Sequence, residues 1–288
     1  MMSIAVTPAW LADRLNEDGV RIVDCRFLLQ DASAGEKAYE EAHIPGAVYM
    51  HLDRDLSAPK REDGSGGRHP LPDAAVFAAT LGRAGIGNGT HVVAYDDQGG
   101  AMAGRLVWLL RWLGHDGGAS LLDGGFAAWQ AAGYPVTAAR PAVAAAVFEA
   151  RVQAGLVVHA DDVRARLGQA GVVLVDSREA PRYRGEVEPI DAKAGHIPGA
   201  INRFWKDSLA SDGTLLPADA QQARFADLSQ EDEIIVYCGS GVTACPNVFA
   251  LEAAGFRNVK LYAGSWSDWI SYEGNPVAVG DEAKARNE

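Results

Sequence analysis

The sequence predicts an α/β protein made of two tandem copies of one domain, each a mainly parallel sheet flanked by helices. The first observation behind this is repetition. Four blocks recur in the same order at similar spacing: "VRIVDCRF" (20–27) with "VVLVDSRE" (172–179), "EAHIPGAVY" (41–49) with "AGHIPGAIN" (194–202), "HVVAYDDQG" (91–99) with "IIVYCGSG" (234–241), and "LLDGGFAAWQAAGYPV" (121–136) with "LYAGSWSDWISYEGNPV" (261–277). Ordered self-similarity of this kind marks a duplicated unit. The second observation is strand texture. "RIVD", "HVVAY", "VVLVD" and "IIVYC" are apolar throughout rather than alternating, as strands covered on both faces of a parallel sheet must be.

Each copy reads as strand, loop, strand, helix, strand, helix. Helical patterns such as "AMAGRLVWLLRWLG" and "ADDVRARLGQAG" supply the covering layers. The first domain is expected over 1–137, a linker over 138–155 where alanines crowd around one proline, the second domain over 156–279, and a loose polar tail over 280–288. "DLSAPKREDGSGGRHPLP" (55–72) must be a long polar loop, and long loops in compact domains are often functional.

Composition narrows the function. The chain has 288 residues, 48% hydrophobic, enough for two cored domains. A net charge of −12 argues against nucleic acid or an anionic membrane as partner. Three cysteines do not make a disulfide framework. The N-terminus lacks the basic start and apolar core of a leader peptide, and no apolar run is long enough to span a bilayer. The expectation is a cytoplasmic protein with free thiols. Cys238 and Cys245 lack short metal-ligand spacing and no histidine pair sits nearby, so neither a metal nor a cofactor is expected.

Chemistry concentrates in "CGSGVTA" (238–244). Cys238 ends an apolar strand, and a helix is expected from about Val242, because Pro246 is tolerated only in a first turn. Gly239 and Gly241 let the backbone curl, so that N–H groups turn inward as an anion-binding nest at a helix N-terminus. Both effects favour a thiolate nucleophile over a buried structural cysteine. The matching position in the first copy is Asp96, so only the second copy carries thiol chemistry.

The paired "HIPGA" blocks, the two Asp-x-Arg strand ends and "CGSGVTA" together resemble the rhodanese family of sulfurtransferases in its tandem-domain form, over nearly the whole chain. The loop is similar to the 3-mercaptopyruvate branch; thiosulfate-using relatives carry a basic pair at Gly239 and Ser240. The resemblance implies a Cys238 persulfide cradled by the N–H groups of Gly239, Gly241, Val242 and Thr243. It also implies a proton relay of Ser240, His69 and Asp53, two of them from the first copy, at an interdomain cleft. The donor is then a small molecule, most simply 3-mercaptopyruvate, and the acceptor a thiol, a thioredoxin-like protein or cyanide. A monomer suffices for such a duplicated chain. Of the two arginines implied for a substrate carboxylate, one falls on Arg182 and the other near apolar Ile190, with Arg184 or Lys193 as substitutes.

Three rival readings remain: thiosulfate as the donor; a slow persulfide carrier; and a cysteine phosphatase, disfavoured because Ala244 stands where a phosphate-clamping arginine is needed. Residues present in both copies read as structural. His43 and His196 would fix a bend, Asp24 with Arg26 and Asp176 with Arg178 would form ion pairs, and Trp129 and Trp269 would anchor cores. Cys25 and Cys245 read as buried and structural.

Overall fold

A computed structural model describes residues 4–282. Residues 1–3, the start of the stretch read for a leader, and 283–288, most of the expected tail, lie outside the described residues. The described chain divides into two compact units. The first comprises 4–58, Pro72–Ala154 and Leu209–Leu215; the second comprises Pro59–Leu71, Gly155–Ser208 and 216–282.

The first unit runs β1 (Ala5–Val6), α1 (Pro8–Ala12), β2 (Val20–Asp24), α2 (Ala34–Glu41), β3 (Val48–Tyr49), α3 (Ala74–Arg83), β4 (His91–Tyr95), α4 (Ala103–Trp112), β5 (Ala119–Leu122) and α5 (Gly125–Ala131). Its five strands pair in the order β1-β5-β4-β2-β3, all parallel. The second unit repeats the plan with β6 (Val157–Val158), α6 (Ala160–Arg166), β7 (Val172–Asp176), α7 (Ala180–Tyr183), β8 (Ile201–Asn202), α8 (Ala218–Arg224), β9 (Glu233–Tyr237), α9 (Ala244–Ala253), β10 (Val259–Tyr262) and α10 (Ser265–Trp269). Its order is β6-β10-β9-β7-β8, again all parallel. The two-residue strands β1, β3, β6 and β8 are too short to leave a period in the sequence, and only sheet pairing reveals them.

Repeated sequence gives repeated bonding. Arg26 clamps Asp24 and reaches the Ala42 carbonyl at 2.7 Å; Arg178 clamps Asp176 and reaches Gly195 O at 2.6 Å. The ring Nδ1 of His43 lies 2.6 Å from Tyr39 O with Tyr39 stacked on it, and His196 repeats this with Tyr183 at 2.8 Å. These histidines fix the bend before β3 and β8, a structural duty. Trp129 and Trp269 are fully buried, each donating its indole N–H to a proline carbonyl at 2.8 Å, Pro135 and Pro276 respectively. Both are core anchors: truncating a buried tryptophan typically costs about 3–5 kcal/mol.

The segment expected to link the domains is not a free tether. It runs extended along the first unit, donating from Ala146 N to Gly82 O, Arg151 N to Leu113 O and Gln153 N to Trp112 O at 2.7–2.9 Å. Among the described residues, no helix is long and apolar enough to cross a membrane.

Candidate active site

β9 is the central strand of the second sheet, and Cys238 follows its carboxyl end, where open α/β sheets place their ligands. The loop after it is pinned on both sides. Cys238 O accepts from Trp266 N at 3.0 Å and Gly239 O accepts from Ser267 N at 2.9 Å. Gly241 adopts φ +74°, and a Cβ there would sit 2.1 Å from the Ala263 carbonyl oxygen, so no other residue fits. That curl turns Gly241 N–H onto Cys238 Sγ at 3.2 Å, an N–H dipole aimed where negative sulfur would sit. Val242 is buried, Thr243 takes the N-cap position, and α9 starts at Ala244, which puts Pro246 in the first turn. Cys245 donates its S–H to Gly241 O at 3.4 Å and so ties the loop to α9, a structural use of the thiol. Cys25 is buried, and burial pushes its thiol well above the ordinary range.

Ser265 holds the other side of Cys238. Its φ of +57° is a left-handed conformation for a residue with a Cβ, whereas the matching residue of the first unit is Gly125 at +60°. Such strain costs about 1–2 kcal/mol. Its hydroxyl explains its presence: Ser265 Oγ accepts from Cys238 N at 3.1 Å and donates to Tyr262 O at 2.9 Å. Ser265→Gly is therefore expected to leave the melting temperature nearly unchanged, since relieved strain offsets lost bonds. Ser265→Ala keeps the strain, loses the bonds, and should cost about 1–3 kcal/mol. Calorimetry of both variants checks this; equal losses would refute the account of the strained serine.

His69 reaches the same loop. Its Nδ1 lies 2.7 Å from Ser240 Oγ, with both residues buried. The bond forms within one unit, because residues 59–71 pack with the second unit. Their backbone is tied to α10 by Gly66 N to Asp268 Oδ1 at 2.7 Å and Arg68 N to Ser267 Oγ at 3.0 Å. Asp53, the third expected relay member, belongs to the first unit, on an exposed turn where its N–H donates to His51 Nδ1 at 3.1 Å.

The cations around the loop differ in part from expectation. A side chain at Gly239 would begin 2.8 Å from Arg68 Nη2 and 3.7 Å from both Nη atoms of Arg182. Arg182 is therefore beside the loop. Arg184 is not among these nearest groups; it pairs instead with Glu186 at 2.7 Å on the surface. Lys193 is exposed, and Ile190 is 40% exposed. Arg68 was not singled out from the sequence. The signal that could have found it is its position next to His69 in the glycine-rich loop.

Arg182 is held from behind by Glu188 at 2.7 Å and Asp191 at 3.0 Å. Burial would raise the Glu188 carboxyl. Arg182 and the N–H groups of Asp191 and Ile190 outweigh it and keep that carboxyl below the usual range.

The first unit shows what fills such a loop when sulfur does not. The Asp96 carboxylate, fully buried after central β4, accepts from Gln98 N and Gly100 N through one oxygen and from Met102 N and Ala103 N through the other, all at 2.8–2.9 Å. Burial pushes this carboxyl up while the four donors pull it down. The loop is a nest occupied by its own anion. No group of three or more His, Cys, Asp or Glu suited to a metal occurs among the described residues.

Sheet order, repeated bonding and a glycine-curled cysteine loop define the class. The family model for the rhodanese-like domain matches residues 7–132 and again 159–272. The chain belongs to the rhodanese-like family as a tandem of two such domains. It is 50% identical over 279 residues to the "Probable 3-mercaptopyruvate sulfurtransferase" of Pseudomonas aeruginosa, covering 96% of this chain and 98% of the relative. It is 39% identical to a Mycobacterium tuberculosis protein provisionally named thiosulfate sulfurtransferase SseB, covering 96% and 97%. The crystal structure of SseA from Escherichia coli, described among 3-mercaptopyruvate sulfotransferases, superposes with a TM-score of 0.82 at 32% identity, covering 92% of this chain and 99% of that one.

Proposed function

We propose that the protein is a sulfurtransferase that takes sulfur from 3-mercaptopyruvate onto Cys238 and passes it to a thiol, a thioredoxin-like dithiol or cyanide. The observation that carries the donor is the His69–Ser240 hydrogen bond two residues from the nucleophile. Cys238 thiolate attacks the donor sulfur and an S–S bond forms. The C–S bond breaks with its electron pair going to carbon, leaving the enolate of pyruvate, which needs one proton. Ser240, backed by His69, supplies that proton, and Asp53 is the proposed orienter of the histidine. The acceptor thiolate then attacks the outer sulfur, an acceptor persulfide leaves, and Cys238 returns as thiolate. Gly241 N–H supports the sulfur charge throughout, joined in this reading by the N–H groups of Gly239, Val242 and Thr243.

Cys238 is 1% exposed, which favours a small donor carrying its sulfur at the end of a short chain. All three cysteines are buried and none is in a disulfide among the described residues, which suits a reducing cytoplasm. A second reading, thiosulfate as donor, has support in the Mycobacterium tuberculosis relative's name and in a pair of guanidinium groups that suits a sulfonate as well as a carboxylate.

Intact-mass measurement after each donor tests the proposal: one added sulfur, located on Cys238, is expected, with mercaptopyruvate loading faster. Absence of loading by either donor would sink it. Ser240→Ala and His69→Ala are expected to lower mercaptopyruvate kcat about 10²–10⁴-fold, the usual scale of a lost acid–base group, and thiosulfate turnover much less. Equal losses with both donors would remove the relay.

A further inference from the structure

The turn from Gly264 to Asp268 grips two loops at once. On one side the N–H groups of Trp266 and Ser267 donate to the Cys238 and Gly239 carbonyls at 3.0 and 2.9 Å, and Ser265 Oγ accepts from Cys238 N at 3.1 Å. On the other, Asp268 Oδ1 accepts from Gly66 N at 2.7 Å and Ser267 Oγ accepts from Arg68 N at 3.0 Å. We propose that Asp268 is a positioning residue that holds the glycine-rich loop so that His69 meets Ser240, and thereby sets the geometry of the proton step in mercaptopyruvate turnover. This rests on the relay reading above and names what keeps that relay in register.

The loop needs such a hold. It belongs to a stretch with no strand or helix between β3 and α3, and Gly66 and Gly67 both take positive φ, +83° and +76°. A segment of this kind has little backbone preference, so its place must be imposed from outside. The two bonds to α10 fall on residues 66 and 68, on either side of Gly67 and directly ahead of His69. Between them the loop lies flush on the turn: a Cβ at Gly67 would sit 2.4 Å from Gly264 O and 2.7 Å from Ser267 Oγ. The next side chain is His69, with Nδ1 2.7 Å from Ser240 Oγ.

Asp268 is itself fixed in place. It is buried, and the Tyr262 hydroxyl donates to its Oδ2 at 2.6 Å, which leaves Oδ1 for Gly66 N. Tyr262 ends β10, and β10 pairs with β9, the strand that leads into Cys238. One sheet thus places the sulfur directly through β9 and the imidazole indirectly, through β10, Tyr262, Asp268 and the loop. Hydrogen bonds to a carboxylate are shorter and stronger than those to a neutral acceptor, which suits an anchor made of few contacts. Precision matters at this point, because a displacement of about 1 Å in a reacting group can cost on the order of 10²-fold in rate.

The test is a double-mutant cycle with mercaptopyruvate as donor. Asp268→Ala is expected to lower kcat about 10-fold or more while KM changes less than about threefold. Asp268→Asn keeps an acceptor for Gly66 N, and the Tyr262 hydroxyl can turn to accept from its amide, so most of the rate should return. In a His69→Ala background, Asp268→Ala should lower the rate by less than about twofold further, because the step it serves is already lost. An unchanged kcat in Asp268→Ala, a loss in Asp268→Asn as large as in Asp268→Ala, or multiplied losses in the double variant would each overturn the positioning role alone. If His69→Ala itself leaves mercaptopyruvate turnover intact, the relay reading falls and takes the positioning role with it. Circular dichroism checks that each variant folds. Gly67→Ala reaches the same contact from the loop side and spares the buried Tyr262–Asp268 pair: it should push the loop off α10 and reproduce the loss in kcat should Asp268→Ala fail to fold. A full rate in folded Gly67→Ala would overturn the proposal.

Discussion

Cys238→Ser is expected to abolish sulfur transfer, with kcat lowered by about a thousandfold or more and no sulfur gained by the intact protein after either donor. The substitution changes one atom in a loop whose geometry does not depend on it. Gly241 keeps its positive φ against Ala263, and the carbonyls of Cys238 and Gly239 keep their bonds to Trp266 and Ser267. The loss therefore reports chemistry: oxygen at this position is a far weaker nucleophile toward sulfur. Cys25→Ser and Cys245→Ser should stay within a few-fold of the unaltered rate, since Cys25 lies in the first unit and Cys245 bonds Gly241 O from the first turn of α9. A Cys238→Ser protein that still turned over either donor would overturn the assignment of the nucleophile.

A large stability effect is expected at Asp96, far in role from the chemistry. Its carboxylate satisfies four buried backbone donors. A buried donor left without a partner costs about 1–3 kcal/mol. Asp96→Ala strands all four, and even with water entering the space the first unit should lose about 3–5 kcal/mol. Asp96→Asn is nearly isosteric and should cost less, because its amide oxygen still accepts from two of the four while its amide nitrogen turns donor hydrogens toward the other two. Calorimetry reads the loss, and hydrogen exchange localises it: the amides of Gln98, Gly100, Met102 and Ala103 should all lose protection in Asp96→Ala, and one pair of them in Asp96→Asn. Unchanged protection at these four amides would mean that the loop does not depend on its internal anion.

Asp96 also illuminates the Cys238 loop. Two copies of one sheet place a curled loop after their central strand, at Asp96 after β4 and at Cys238 after β9. Where the side chain is a carboxylate, the loop's own N–H groups hold it as a fixed internal ligand. Where it is a thiol, Gly241 N–H points at the sulfur. The first unit thus displays the anion affinity that the proposed mechanism asks of the loop in the second.

Much of this protein is local enough to be written in its sequence. The duplication, the central strands, the clamped Asp-x-Arg pairs, the buried HIPGA histidines and the cysteine loop all depend on residues within a few positions of each other or on a repeated pattern. Short range makes them legible: a glycine that must take positive φ, or an aspartate two residues before its arginine, leaves a mark in the string itself. The edge strands β1, β3, β6 and β8 leave none, because two residues carry no period.

The surroundings of Cys238 are another matter. That residues 59–71 pack with the second unit, that Arg68 and not Arg184 stands beside Gly239, and that Asp191 joins Arg68 to Arg182 across more than a hundred residues were decided only by tertiary structure. The physical reason is that a long polar loop has little conformational preference of its own. Its path is set by the groups that satisfy its backbone N–H donors, here the side chains of Ser267 and Asp268, and those lie some 200 positions away along the chain.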